Sequence, residues 1–430
     1  MKFIDYTESD FDRQCKLMAE KSSLFDPNIE QSVRTIIDDV KSRGDAALID
    51  LTEKFDGVKL DRTQLSVTTA ELMEASLMAD DDLRKALECA DKNVAAYGKR
   101  TLRKNWKMEN KQGGIVGEKY DPIQRVGVYI PGGSAPLVST AIMTVSLARV
   151  AGCREIVVCT PCSKDGLLNP ALLFAARFAG ATEIYKVGGA QAIAAMALGT
   201  ETIKAVHKIF GPGNAYVVTA KRLLFGYAAI DLLPGPSELL VIADDSAVSK
   251  FVAMDLLAQA EHGSGYERIW LISPSFKLIK SVQKDINKLV KTLSRGEKIS
   301  KVLDNNCWFV RVKSLEDAVK LANQLAPEHC EVITKSSETL AASILTAGAI
   351  FLGNYTPTVL GDYIAGPSHT LPTGGAGKAF SGLSVDQFLR RTSIVKYSKN
   401  SLKKSLTALR TIAGVEGLEA HLRSAEIRFK

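Results

Sequence analysis

From Arg125 onward, short apolar runs of strand length alternate with helical stretches, and this alternation restricts the fold more than any other feature. Arg125-Val-Gly-Val-Tyr-Ile130 reads as a strand stopped by Pro131-Gly132-Gly133. An apolar helix follows over about 139–150, then a strand (155–159), a helix (169–179), a strand (182–187) and a helix beginning near Gln191. A second series runs through a strand at 238–243, a helix at 251–262, and strands at 268–272, 308–312 and 331–333. Strands separated by helices form parallel βαβ units. The chain is therefore expected to be α/β, with two Rossmann-like but incomplete parallel-sheet domains. The spacing predicts residues 1–128 and 237–380 as one discontinuous domain and 129–236 as a second, with 381–430 as a C-terminal extension. Upstream, 29–55 and 70–98 have helical spacing. Past about 380 the pattern changes to short, basic, helical segments.

A chain of 430 residues has room for two or three domains. Its net charge of +7 raises the question of nucleic acid. Residues 390–430 hold ten Lys/Arg and three Asp/Glu, a surplus of seven, so the tail accounts for the whole excess. No aromatic-and-basic motif accompanies it, and a solvated or interface-forming helical face explains it better than a nucleic-acid partner. The start, MKFIDYTESDFDRQ, has neither a secretory nor a transit pattern. The long uncharged stretch Val126 to Ala148 contains Pro131, Gly132, Gly133 and Pro136, which indicates loop and buried core and not a membrane span. Seven scattered cysteines, an odd number, fit reduced thiols and a cytoplasmic location. Cys159 and Cys162 have CxxC spacing but no second pair, and read as a strand end entering a loop.

Histidine is the best guide to chemistry, because there are only five. His262, His329, His369 and His421 stand in polar clusters: Gln259-Ala-Glu-His262, Pro327-Glu328-His329, Asp362-Tyr363 ahead of His369, and Glu416 ahead of His421. Gln259 and His262, three apart at the end of a helix, share a face. Zinc accepts such nitrogen and oxygen donors, and catalytic sites keep one position open. There is no HExxH or paired CxxC, so an ordinary polar helix end explains the same residues. No GxGxxG or P-loop is present either. Three Gly-rich turns, Pro131–Pro136, Val187–Gln191 and Gly211–Asn214, are placed where backbone N–H groups can meet phosphates. Tight loop chemistry is the alternative for each of them.

Taken in order, VGVYIPGGSAPLVST, VGGAQAIAAMALGTE, KIFGPGNAYV, LPGPSELLVIAD, AQAEHG, LAPEHCEV, GDYIAGPSHTLPT and EGLEAH resemble the histidinol dehydrogenase family along nearly the whole chain. The resemblance implies zinc ligands at Gln259, His262, Asp362 and His421, with one Zn2+ per subunit. It implies an acid–base pair at Glu328 and His329. Ser237, His369 and Glu416 would contact substrate, as would His329 and the ligands. Tyr129, Gln191 and Asn214 would contact NAD+. Ser368 stands where relatives are expected to carry asparagine.

The implied reaction is a four-electron oxidation of L-histidinol to L-histidine through L-histidinal, using two NAD+ in the last steps of histidine biosynthesis. Another zinc- and NAD-dependent dehydrogenase of a polar alcohol, such as a sulfonated diol, is the alternative; His369 and Glu416 weigh against it. Cys330, beside His329, is read as packing. The tail carries Leu402, Leu406 and Leu409, which need a surface to cover them. The resemblance implies a homodimer in which Glu416 and His421 complete the neighbour's site.

Overall fold

The computed structural model describes residues 1–19, 26–132 and 136–429. Residues 133–135 of the first Gly-rich turn lie outside the described residues. Among the described residues the strands are β1 (Lys2–Asp5), β2 (Trp106–Glu109), β3 (Ile115–Pro122), β4 (Arg125–Tyr129), β5 (Glu155–Cys159), β6 (Glu183–Tyr185), β7 (Lys208–Phe210), β8 (Ala229–Ile230), β9 (Glu238–Ala243), β10 (Arg268–Ser273), β11 (Cys307–Arg311), β12 (His329–Ile333), β13 (Ala349–Leu352) and β14 (Leu389–Lys396). They form two parallel sheets and one small antiparallel sheet, the α/β architecture that the alternation predicts.

The six-stranded sheet has the order β1-β11-β10-β9-β12-β13, with every neighbour parallel. Parallel strands covered on both faces read as continuous apolar runs, which is why Glu238–Ala243 shows no alternation. Leu239 and Val241 pack with Val252, Leu256, Ile279 and Val282 on one face. Leu240 and Ile242 pack with Met18, Ala318 and Leu321 on the other. The covering helices Ser249–Ala260 and Phe276–Leu289 run back after β9 and β10. Their C-terminal ends therefore return to the edge where the strands begin.

The five-stranded sheet has the order β6-β5-β4-β7-β8, again all parallel. The chain moves outward from β4 to β6, then crosses back to lay β7 and β8 on the other side of β4. The strand order reverses between β4 and β7, and α/β sheets bind ligands in the crevice outside the carboxyl ends at such a point. Helix Val138–Ala151, after β4, is buried almost all round and needs a second layer over it. Helix Asp81–Thr101 supplies that layer, and Asp91 accepts hydrogen bonds from Ser146 (2.5 Å) and Arg149 (2.6 Å).

The helical stretch expected at 29–55 is two helices, Pro27–Arg43 and Asp45–Asp56, hinged at Gly44. Gly44 has φ +56°, and a Cβ there would meet the Glu201 carboxylate, which accepts from the Asp45 N–H at 2.8 Å. The apolar rows of both helices, with those of Asp81–Thr101, enter the core of the five-stranded sheet. Packing thus joins residues 27–101 to that unit, whereas strand spacing groups 1–128 with the six-stranded one. β1 pairs within the six-stranded sheet, and Cys15 and Met18 of helix Phe11–Ala19 pack on it.

The tail differs from the expected short helical segments. β14 pairs antiparallel along the whole of β3, from Leu389↔Pro122 to Lys396↔Ile115. Helix Lys399–Glu416 then extends for 18 residues and turns at Gly417 (φ 69°) into helix Glu419–Glu426. In the first of these only Ser401 is buried. Leu409, Ile412, Val415, Leu418 and Ile427 are all exposed. Among the described residues no helix is long and apolar enough to cross a membrane.

Candidate active site

The site is assembled at the N-terminal edge of the six-stranded sheet. β9 and β12 are adjacent and in register, His329 opposite Leu239, so the residues that open the two strands meet there. Glu328 Oε2 accepts from Ser237 Oγ at 2.5 Å and from the Glu238 N–H at 2.8 Å. His329 Nδ1 lies 3.0 Å from the Glu238 carbonyl oxygen. A carbonyl only accepts, so Nδ1 carries the hydrogen and Nε2 is left as the ring's basic nitrogen. That Nε2 lies 3.8 Å from Asp362 Oδ1, and Nδ1 lies 3.6 Å from Glu328. Burial raises the Glu328 carboxyl above the ordinary carboxylate range, opposed by the nearby His329 and by the Ser237 hydrogen bond.

Gln259 and His262 reach the same edge at the end of helix Ser249–Ala260. His262 Nδ1 donates to the Gln259 carbonyl at 3.1 Å, which turns Nε2 outward as a free donor atom. The Gln259 side chain is buried, and its amide nitrogen has no hydrogen-bond partner. Buried polar atoms are normally satisfied, so the unpartnered amide N–H2 of Gln259 has room for an acceptor. Asp362 sits on the short helix Val359–Tyr363 after β13. His369 is near both Asp362 and His262; burial lowers its pKa and the Asp362 charge opposes the shift. Its Nε2 lies 3.3 Å from Thr140 Oγ1, on the helix that follows β4 in the other unit. Ser368 is buried, and its hydroxyl accepts from the Thr370 N–H at 3.2 Å, a local turn contact.

Glu416 and His421 are not part of this group. Both are exposed on the tail, Glu416 closing helix Lys399–Glu416 and His421 in helix Glu419–Glu426. Among the described residues, no group of three or more His, Cys, Asp or Glu side chains is placed to hold a metal ion. One chain thus sets His262, Asp362 and His329 around His369, with Gln259 one helical turn before His262.

Tyr129, Gln191 and Asn214 line a separate cavity of about 1570 Å³ at the carboxyl edge of the five-stranded sheet. Tyr129 ends β4, is buried, and its hydroxyl accepts from the Gly189 N–H at 3.0 Å. Burial pushes its phenol up to about 12. Gln191 lies in the first turn of helix Gly189–Leu198, buried, with its amide oxygen unpartnered. Asn214 caps helix Ala215–Leu224 by accepting from Tyr216 and Val217 N–H groups. Helix starts and a reversal in strand order are what a dinucleotide pyrophosphate needs, and the cavity has room for a dinucleotide.

Sequence reasoning missed Glu238. It is almost fully buried, and its carboxyl is pushed up to about 8 by burial, opposed by Arg268 3.5 Å away. Its backbone holds both Glu328 and His329. The signal was available: a carboxylate opening the otherwise apolar run Glu238–Ala243 requires a reason. Thr140 gave no signal, since only the folded chain sets it beside His369. Cys330 is fully buried on the opposite face of β12, packed with Leu240 and Ile242. Cys159 ends β5 and Cys162 lies in the loop beyond; both are buried free thiols.

The family model for histidinol dehydrogenase matches residues 19–429. A histidinol dehydrogenase of Geobacillus kaustophilus is 45% identical over 400 residues, covering 93% of this chain and 94% of the relative. One from Heliobacterium mobile is 40% identical over 430 residues, covering both chains completely. The crystal structure of histidinol dehydrogenase from Elizabethkingia anophelis superposes with a TM-score of 0.95 at 34% identity, covering 100% of this chain and 98% of that one.

Proposed function

The chain belongs to the histidinol dehydrogenase family, and from that premise we propose that it carries out the zinc-dependent, four-electron oxidation of L-histidinol to L-histidine with two NAD+. The observation that carries this reading is the pairing of Glu328 with His329 at one strand edge, each anchored separately, with His262 near Glu328 and Asp362 near His329. Two oxidations at one carbon need two proton acceptors with distinct duties, and this pair offers them.

When bound, zinc would polarise the amino alcohol and NAD+ would accept hydride. Gln259, His262 and Asp362 would hold the metal, with His421 from a second copy of the chain as the fourth ligand. Tyr129, Gln191 and Asn214 would hold the dinucleotide. Ser237, His369 and Glu416 would orient the substrate. In the first oxidation His329 Nε2 takes the hydroxyl proton as the carbinol carbon loses hydride, giving L-histidinal. Glu328 then takes a proton from water as the water oxygen adds to the aldehyde carbon, while His329 gives its proton to the aldehyde oxygen and becomes basic again. His329 takes the hydroxyl proton of the resulting hydrate as the second hydride leaves, giving the carboxyl group. Burial of Glu328 supports its role, because a raised pKa makes a stronger base.

The exposed apolar row on the tail supports a homodimer with shared sites. Seven free thiols fit a cytoplasmic enzyme. The test is stoichiometry: each L-histidinol should yield two NADH and one histidine. A product that stops at the aldehyde with one NADH refutes the proposal.

A further inference from the structure

The mechanism leaves unused a fully buried ion pair. Lys221 and Asp231 both have no side-chain exposure, and they are in direct contact. Lys221 lies in helix Ala215–Leu224 and Asp231 just past β8. Both close on one residue, Gly211. Lys221 Nζ donates to the Gly211 carbonyl at 3.0 Å, and Asp231 Oδ2 accepts from the Gly211 N–H at 2.8 Å. Gly211 follows β7 and opens the Gly-Pro-Gly-Asn turn that ends at Asn214. Its φ of +106° excludes other residues, and a Cβ there would lie 2.1 Å from the Tyr129 carbonyl oxygen. The turn is thus pressed onto the end of β4 at the point where the strand order reverses.

A buried ion pair is a poor device for stability alone, because apolar residues of similar volume serve as well or better. This pair fixes a backbone: each charge grips one polar group of the same residue, in a turn whose last residue, Asn214, lines the cavity. We propose that Lys221 and Asp231 are positioning residues, holding the Gly211–Asn214 turn in its ligand-ready shape before the dinucleotide arrives. The inference rests on the reading of that cavity as the NAD+ site. Preorganisation of this kind acts on binding, since the turn need not be ordered when the ligand enters.

The test uses the full-length enzyme and the double variant Lys221→Met/Asp231→Leu, which removes both charges together and leaves no unpaired one. NAD+ binding is measured by titration calorimetry without substrate, alongside melting temperature and bound zinc. Positioning predicts unchanged zinc and NAD+ bound about tenfold more weakly by the folded variant, whose melting temperature falls because the Gly211 N–H and carbonyl lose their partners. A folded double variant that binds NAD+ as tightly as the parent overturns the proposal. Parent enzyme that fails to bind NAD+ overturns the reading of the cavity instead. Hydrogen exchange on the unaltered, ligand-free enzyme gives a second arm that survives a folding failure. The Gly211 amide should be protected to the level of β7, and exchange at the rate of an exposed loop overturns the proposal.

Discussion

Glu328→Gln separates the two oxidations, because the geometry lets the amide replace the carboxyl with little structural change. The Ser237 hydroxyl and the Glu238 N–H both donate to Oε2, and the glutamine amide oxygen can accept both. The variant loses the charge on that acceptor, worth about 1 kcal/mol, and also loses the burial penalty of a carboxylate, which acts the other way. The two nearly offset, so the melting temperature should move by only roughly a degree, about 1 °C per kcal/mol at this size. Catalysis should respond far more. An amide cannot take a proton from water, and removal of a general base slows its step about 10²–10⁴-fold, or roughly 3–5 kcal/mol of barrier. The first oxidation uses His329 Nε2, whose tautomer is fixed by the Glu238 carbonyl and not by Glu328. A rapid-mixing experiment with excess NAD+ should therefore show one NADH per site at close to the parent rate and a second that is slow. Two NADH at the parent rate would refute the assignment. A first phase slowed as much as the second would mean that Glu328 serves the alcohol step.

His329→Asn should cut turnover by about 10²–10⁴-fold while zinc stays bound; loss of metal would make His329 a ligand. Parent protein should carry about one zinc per chain by elemental analysis, and His262→Ala should lose metal and activity together. The second oxidation should rise with pH through a pKa above the usual carboxylate range, because Glu328 must lose its proton to act, and Glu328→Gln should flatten that limb. The stability sign is opposite: a raised folded pKa favours the protonated form, so Glu328's contribution is full at low pH and fades as pH rises through that pKa. Mixing inactive His262→Ala and His421→Ala chains under subunit exchange should partly restore activity, since a shared-site heterodimer has one site with both lesions and one with neither. No recovery with exchange verified would put the tail on its own body.

The parallel sheets were legible because buried parallel strands leave uninterrupted runs such as Leu239–Ala243, and these carry their own boundaries. The tail strand was not. Leu389–Lys396 has Thr392, Ile394 and Val395 as local strand formers, but its partner β3 lies more than 250 positions earlier in the chain. Packing of 27–101 on the five-stranded sheet was hidden for a related reason: the apolar row Val33, Ile36, Val40 states that a helix is covered, and says nothing about which sheet covers it. At the site, the scarce histidines marked the cluster, and the structure gathers His262, His329, Asp362 and His369. The Glu238 carbonyl that fixes the His329 tautomer is a backbone atom, which has no residue signature.

The tail joins two deficits that one event would remove. The metal position proposed at Gln259, His262 and Asp362 would want a fourth protein ligand, while His421 is exposed on a helix with no buried residue. On the adjoining helix Ile412 and Val415 are open to water, at 59% and 86% exposure. Exposed apolar side chains of this size favour burial by about 1.5–3 kcal/mol each, so a helix carrying several is driven toward a surface. The antiparallel strand before it, clamped on β3 by pairing from Leu389 to Lys396, fixes where the helix leaves the body. A tail tied at its root and carrying an exposed apolar row would meet a twofold partner in one orientation, and in the proposed dimer each chain's His421 would then arrive at the other's site. Metal occupancy and association would be linked equilibria: zinc should tighten the dimer, and dilution should release zinc.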